Sequence, residues 1–386
     1  MKVISTEKIP IKMWLEDIED GAVIQLKNLA NLPFAFKHIA VMPDCHQGYG
    51  MPIGGVLATD VIIPNAVGVD IGCGMCSVKT SIHKEELKTE KLKEIMGGIR
   101  NAIPVGFNHN KYKAESTLMP DTPVLNEGVV AREYQSALYQ VGTLGGGNHF
   151  VEIQKGSDGF IWVMLHSGSR NIGLKVAKNY NDVAIELNEK WNSSIPKEHE
   201  LAFLPLDSIQ GKNYIEEMEY CVDFAFCNRR LMMDKIKDVF YAYTSCSFEP
   251  MINIAHNYAR MEHHFNKNVM VHRKGATSAK EGEIGIIPGS QGTKSYIVRG
   301  KGNKESFESC SHGAGRRMGR KQAERELNLE EEQKKLNDKG IIHSVRGKSD
   351  LDEASGAYKD IDVVMKNQSD LVDIVVELEP LGVIKG

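Results

Sequence analysis

No stretch of the chain approaches the ~18 consecutive apolar residues that a membrane-spanning helix needs. The N-terminal segment MKVISTEKIPIKMW also lacks the apolar core of a signal peptide, so the sequence reads as a soluble protein without targeting signals and predicts a cytoplasmic location. There is no excess of positive charge either. Forty-seven Lys+Arg stand against 51 Asp+Glu, a net charge of -4 with His neutral, which excludes a generally basic nucleic-acid coat and requires any nucleic-acid partner to be held by a local basic patch. Cysteine is scarce: 7 residues, an odd number and unevenly spaced, do not form a secreted disulfide framework and point to a reducing compartment. The Walker A spacing GxxxxGK[ST] and the Rossmann spacing GxGxxG are both missing, which removes P-loop NTPases and dinucleotide dehydrogenases. A second CxxC is missing as well, so Cys73-x-x-Cys76 has little support as half a zinc site or as a redox pair.

What is present is an ordinary globular composition, 41% hydrophobic and 25% charged over 386 residues, enough for a large core in one domain or two. No linker, internal repeat or low-complexity segment divides the chain, which therefore reads as a single domain, residues 1–386. Short β-branched runs, Val61-Ile62-Ile63, Ile161 to Leu165 and Val269 to Val271, alternate with Gly- and Pro-containing stretches and predict strands. Between Ile215 and Phe240, Met218, Cys221, Val222, Ala225, Phe226 and Met232 recur at helical spacing and predict a core-packed helix. A second helix is expected over about Lys359 to Leu378, before a short terminal segment Leu381 to Gly386. The mixed charges of Gln322 to Asp338 suggest a solvated helix. Strands and helices without regular βαβ alternation predict an α+β fold.

Histidine placement carries the strongest chemical signal. His46, His149, His166, His256 and His312 all sit beside Gly, Ser or Asn in tight segments, not on apolar helical faces. Gly68-Val69-Asp70-Ile71-Gly72-Cys73-Gly74 sets a hard carboxylate three residues from a soft thiolate, a pair able to bridge two cations with imidazoles completing the shells. Mn²⁺, Zn²⁺ or Fe²⁺ suits such a set better than Mg²⁺ or Ca²⁺. Taken alone, Cys73 also reads as a small buried hydrophobe and Asp70 as a turn cap. Pro288-Gly289-Ser290-Gln291-Gly292-Thr293-Lys294-Ser295, with His272-Arg273-Lys274 upstream and Gly313-Ala314-Gly315-Arg316 downstream, has the glycines, hydroxyls and guanidinium groups that phosphate oxygens favour.

Together, Asp70-x-x-Cys73, GGGNHF at 145–150, HSGSR at 166–170, HNY at 256–258, PGSQGTKSY at 288–296, SCSHGAGR at 309–316 and the terminal Lys385-Gly386 resemble the RtcB family of RNA ligases, in order over essentially the whole chain. The resemblance implies joining of an RNA 2′,3′-cyclic phosphate or 3′-phosphate end to a 5′-hydroxyl end with GTP and two Mn²⁺, in tRNA splicing or RNA repair. It implies that His312 forms a covalent guanylate and that Asp70, Cys73, His149, His166 and His256 bind the metals, with Cys73 bridging. The family's nucleotide contacts fall on Asn148, Glu152, Ser290, Ser295, His312, Ala314, Gly315, Arg316, Tyr358 and Lys385, and RNA or phosphate contacts are expected at Arg170 and Arg320. It further implies an archease-type activator as a partner, and β-sheets flanking a central metal and nucleotide cleft. Cys45, Gln291 and Lys294 depart from the residues usual at their places, and none of them removes a proposed ligand or the nucleophile. From the residues alone, three other readings stand: an end-capping guanylyltransferase that seals poorly, a dinuclear phosphodiesterase or cyclic-phosphate hydrolase, and a non-catalytic RNA-binding protein.

Overall fold

The β-branched runs form strands at Val61–Ile62, Phe160–Ser167 and Lys267–Lys274. In the computed structural model, which describes residues 1–121 and 127–386, these strands contribute to different sheets. A six-stranded sheet runs in the order Lys2–Ile4, Ile11–Met13, Ala35–His46, Ile53–Thr59, Lys267–Lys274, Asn257–His264. A seven-stranded sheet runs Ile252–Ala255, Gly74–His83, Phe160–Ser167, Phe150–Gly156, Val372–Lys385, Ser295–Gly300, Ile284–Ile287. With helices packed on these mostly antiparallel sheets, the fold is α+β.

One residue joins the sheets. The chain leaves the seven-stranded sheet at Ala255 and enters the six-stranded sheet at Asn257, so His256 alone spans the junction. Its N–H donates to the Cys73 carbonyl at 2.8 Å, and its carbonyl accepts from the Ala276 N–H at 3.2 Å. The other residues of interest also lie at strand ends: Cys73 before Gly74–His83, His149 before Phe150–Gly156, and His312 after Ser309–Ser311.

The predicted core helix spans Ile209–Tyr243 and is capped by Ser208, whose hydroxyl accepts from the Gly211 N–H. Its C-terminal half packs Met232, Met233, Ile236 and Phe240 against Val78, Val163 and Leu165 of the seven-stranded sheet. The charged tract forms two short helices, Arg320–Glu326 and Leu329–Asp338, the second begun by Asn328, whose side chain accepts from the Glu330 and Glu331 N–H groups. Among the described residues no helix is long and apolar enough to cross a membrane.

The helix expected over Lys359 to Leu378 is corrected by the structure. Only Ile361–Asn367 is helical, and Val372–Lys385 is a strand that takes in most of the supposed terminal segment. Val372, Ile374, Val375 and Val376 are β-branched or strand-prone, and the seat between Phe150–Gly156 and Ser295–Gly300 supplies ladder partners on both sides. Local helical spacing is outweighed by those paired backbone groups, while Ile374 and Val375, apolar at helical spacing, stay exposed at 49% and 45%.

Leu378 is fully buried among Met75, Met164, Ile286 and Ile297. Leu378→Ala is expected to cost about 3 kcal/mol of stability, read from urea unfolding, because its strand is central to the seven-stranded sheet. If the segment were instead a surface helix, the loss would stay under roughly 1 kcal/mol.

Candidate active site

Where the strand ends converge, lone pairs crowd around one sulfur. Cys73 Sγ lies 3.6 Å from His149 Nε2 and 3.2 Å from His166 Nε2. His149 Nε2 is 3.2 Å from Asp70 Oδ2, and His166 Nε2 is 3.4 Å from His256 Nε2. Two donor groups result, Asp70–Cys73–His149 and Cys73–His166–His256, each with ligand atoms within 4.8 Å of one another and with Cys73 in both.

The imidazoles are oriented from behind. His149 Nδ1 donates to the Leu144 carbonyl at 2.8 Å and His166 Nδ1 to the Asn148 carbonyl at 3.0 Å, which leaves each Nε2 lone pair facing the sulfur. Burial keeps His166 and His256 well below the ordinary histidine pKa, so both are neutral donors. Burial also pushes the Cys73 thiol well up, with Asp70 adding to the shift. Divalent cations held by Asp70, Cys73, His149, His166 and His256 would resolve the conflict by neutralising the thiolate. The donor set therefore fits a pair of divalent metals sharing one thiolate.

The long helix Ile209–Tyr243 holds these loops in place. Asn228, fully buried, accepts from the Gly142 and Thr143 N–H groups through Oδ1 and donates to Thr143 O, Ser167 Oγ and Gly168 O. Arg229, equally buried, donates to the Gly72 and Ser167 carbonyls, each at 2.9 Å. Gly145 adopts a φ of +92° where a Cβ would stand 2.1 Å from Arg170 Nη1 and 2.7 Å from His149 Nδ1, so only glycine allows the loop to lie this close.

Next to the cluster stands His312, its ring 4.8 Å from that of His256. Its Nδ1 donates to Asp44 Oδ2 at 2.6 Å, and the same oxygen accepts from the backbone N–H of His312 at 3.0 Å and of Gly313 at 3.3 Å. Asp44 is fully buried. This grip fixes the tautomer with the lone pair on Nε2, the arrangement that makes an imidazole nucleophilic. The Asp44 carbonyl also receives His46 Nδ1 at 2.9 Å.

His312 lines a cleft of about 900 Å³ with His46, Asn148, His166, His256, Ala314, Gly315, Arg316, Arg320 and Tyr358. A recess of about 30 Å³ adjoins it, walled by Asn148, Glu152, Ser290, Tyr358 and Lys385 among others. Burial raises Glu152 to about 8, and its Oε1 has no hydrogen-bond partner among the described residues. An orphaned carboxylate oxygen in a polar recess fits a ligand that brings N–H donors, as guanine does.

Some expected residues stand further back. Ser295 is off both cavity walls and accepts the Gly289 N–H at 3.1 Å. Arg170 is also off the walls: its guanidinium packs on Gly145 and donates to Thr143 Oγ1 and Gly106 O, both at 3.2 Å. Of the cations grouped with the 288–295 loop as a phosphate cradle, Arg273 is engaged by Glu262 and Lys294 by Glu377 at 2.6 Å, so only Arg316 reaches the cleft. Cys76 lies in the apolar core and its sulfur faces the Arg229 carbonyl, away from any pairing with Cys73. Cys45 is buried among Val41, Met51 and Leu57, a setting that suits an aliphatic side chain. Asp44, Asn228, Arg229 and Glu353 carry site geometry that sequence reasoning left unassigned; Asp44 had a signal, since it shares the PDCHQGYG segment with His46.

The family model described as tRNA-splicing ligase RtcB matches residues 25–129 and 122–386. This chain belongs to the RtcB family. It is 38% identical to the RNA-splicing ligase RtcB of Escherichia coli K12, covering 100% of this chain and 99% of that protein. It is 33% identical to the tRNA-splicing ligase RtcB of Methanococcus maripaludis, over 97% of this chain and 93% of that one, and 32% identical to the RNA-splicing ligase RtcB of Mycobacterium bovis, over 94% and 100%. The buried donor cluster, whose ligand set suits divalent metals, thus lies in an RtcB protein.

Because Cys73 belongs to both donor groups and His256 to one, the two substitutions are expected to differ. Cys73→Ala should abolish binding of both divalent ions, while His256→Ala should keep one, as measured by equilibrium dialysis and elemental analysis. Retention of one ion by Cys73→Ala would show that the thiolate is not shared.

Proposed function

We propose that this RtcB protein is an RNA ligase that seals 2′,3′-cyclic phosphate or 3′-phosphate ends to 5′-hydroxyl ends, with His312 as the nucleophile and GTP and two Mn²⁺ as cofactors. The observation that carries the reading is the Asp44–His312 pair, which holds Nδ1 and leaves Nε2 beside the donor cluster and facing the cleft. In this reading Asp70, Cys73, His149, His166 and His256 hold the metal ions, which supply neutralisation of phosphate charge when bound.

His312 Nε2 attacks the α-phosphorus of GTP, the bond to the β-phosphate breaks, and pyrophosphate leaves. Asp44 holds the proton on Nδ1 and stabilises the positive charge that develops on the ring. An oxygen of the RNA 3′-phosphate then displaces the histidine and takes the guanylyl group. The 5′-hydroxyl attacks this activated phosphorus, loses its proton, and GMP departs. A cyclic phosphate is first opened by water. Glu152 receives the guanine N–H donors, with Asn148, Ser290, Tyr358 and Lys385 around base and ribose and Ser295 behind them. Ala314, Gly315 and Arg316 line the path of the phosphates, Arg320 meets nucleotide or RNA phosphate from the cleft wall, and Arg170, set back behind Gly145, adds positive charge for RNA.

Both sheets deliver residues to one cleft, which supports treating residues 1–386 as one ligase domain. Seven free thiols suit a reducing cytoplasm. An archease-type protein is the activator proposed as its partner, and tRNA halves or ribonuclease-cut RNA are its substrates. A dinuclear hydrolase would use the cluster without His312, and the double grip of Asp44 on that histidine, through its Nδ1 and its backbone N–H, favours the ligase.

Incubation with [α-³²P]GTP and Mn²⁺ is expected to give an acid-labile protein label that His312→Ala abolishes. Asp44→Asn should slow labelling by about 10²- to 10⁴-fold with the fold intact, since the wrong tautomer becomes available. Label surviving in His312→Ala would remove the proposed nucleophile.

Glu152 adds a pH dependence. Guanine N–H donors favour the ionised carboxylate, and burial raises its pKa to about 8, so the binding form grows as pH rises through that value. GTP affinity should increase roughly 25-fold from pH 6.5 to 8.5, a slope that Glu152→Gln flattens. An identical slope in that variant would assign the titration elsewhere.

A further inference from the structure

Three groups placed on the nucleotide side of the cleft converge on one carboxylate that has had no role so far. Glu353 is 3% exposed and lies on the walls of both the cleft and the recess. Its Oε1 is 3.2 Å from Arg316 Nη1 and 3.0 Å from Arg320 Nε, and its Oε2 accepts the Tyr358 hydroxyl. Its carbonyl accepts Gln291 Nε2 at 2.9 Å, which ties it to the 288–295 loop. A negative charge at this place would oppose phosphate binding unless it served to hold the cations, and the two arginines leave the cluster net positive.

The two arginines are not equivalent. Arg316 is engaged on every nitrogen: Nε donates to Met318 O at 3.1 Å, Nη2 to Asp352 O at 2.5 Å, Nη1 meets Glu353, and the guanidinium stacks on the Tyr358 ring at 5.1 Å. Arg320 is gripped at Nε only. Its Nη1 and Nη2 have no hydrogen-bond partner among the described residues, its side chain is 50% exposed, and Nη2 would lie 3.1 Å from a Cβ on Gly147, beside Asn148. We infer that Glu353 is the positioning residue of the phosphate-binding edge: it fixes Arg316 and Tyr358 as a rigid wall and aims the free Nη edge of Arg320 across the cleft at the triphosphate. This rests on reading the cleft as a GTP site and deepens that reading by separating a fixed arginine from a ligand-facing one. Fixing the guanidinium before the ligand arrives removes part of the ordering cost of binding.

The test compares wild type with Glu353→Gln, which keeps the size and loses the charge. Equilibrium binding of a GTP analogue with a methylene bridge between its α and β phosphorus atoms is measured beside covalent labelling at varied GTP. Glu353→Gln is expected to weaken analogue binding and to raise half-saturating GTP by about tenfold, with maximal labelling within about twofold of wild type. Glu353→Asp, which restores the charge, should recover to within about threefold. The thiolate-to-cobalt absorption of the Co²⁺-loaded protein, a reporter of Cys73, should not change. Equal affinity in wild type and Glu353→Gln would overturn the inference, as would loss of the cobalt signal together with affinity, which marks a merely structural role. Should Glu353→Gln fail to fold, Arg320→Lys, which keeps the charge and loses the Nε grip, is read in the same way. A wild type that binds the analogue but takes no label would remove the guanylyl chemistry and leave this comparison standing; one that binds no analogue would remove both.

Discussion

The crowding of donor atoms around Cys73 Sγ is the constraint on which the rest of the structure depends. Two imidazole nitrogens at 3.6 and 3.2 Å from a buried sulfur, with a carboxylate oxygen 3.2 Å from one of them, repel or compete unless cations lie among them. Such an arrangement persists only if the scaffold over-determines it. Here the scaffold consists of strand ends, whose ladders fix the backbone of Cys73, His149 and His166, and of the single-residue junction at His256 between two sheets. The long helix adds Asn228 and Arg229, adjacent residues whose buried donors and acceptors bind the carbonyl and N–H groups of the ligand-bearing loops.

The cleft has two halves with different means of orientation. At the donor cluster, backbone carbonyls at Leu144 and Asn148 fix the rings of His149 and His166. On the His312 side, two buried carboxylates do the work: Asp44 orients His312, and Glu353 holds Arg316, Arg320 and Tyr358. Each carboxylate is stabilised by several donors, so neither acts as a bare buried charge. Glycine marks the places where these halves are pressed together. Gly315, with φ +74°, lies where a Cβ would come 2.2 Å from the Asp44 carbonyl, and this closeness keeps the His312 loop against the Asp44 strand.

Much of the chemistry was legible along the chain, because ligand-type residues in Gly- and Ser-rich segments have few other reasons to be there. The core helix was legible for a similar reason: its apolar spacing persists over many turns, and the structure buries Met218, Cys221, Val222 and Ala225. The segment after Asn367 was misread because Ile374 and Val375 suit a helix face as well as a strand, and the decision lies with partner strands far away in sequence. Arg273 and Lys294 looked like phosphate ligands for want of a visible counter-ion; Glu262 and Glu377 become their partners only in the fold.

By itself the sequence determined the inventory: which atoms can bind metal, which imidazole stands in a flexible glycine-rich setting, the absence of a membrane-length apolar run, and an α+β pattern of strands and helices. Only the tertiary structure decided which of those atoms meet. That Cys73 is shared between two donor groups, that Asp44 and not its neighbour His46 orients His312, and that one glutamate holds two arginines are facts of a few ångströms between residues up to hundreds of positions apart. Hydrogen bonds and coordination act over such short ranges, and the folded backbone alone sets them.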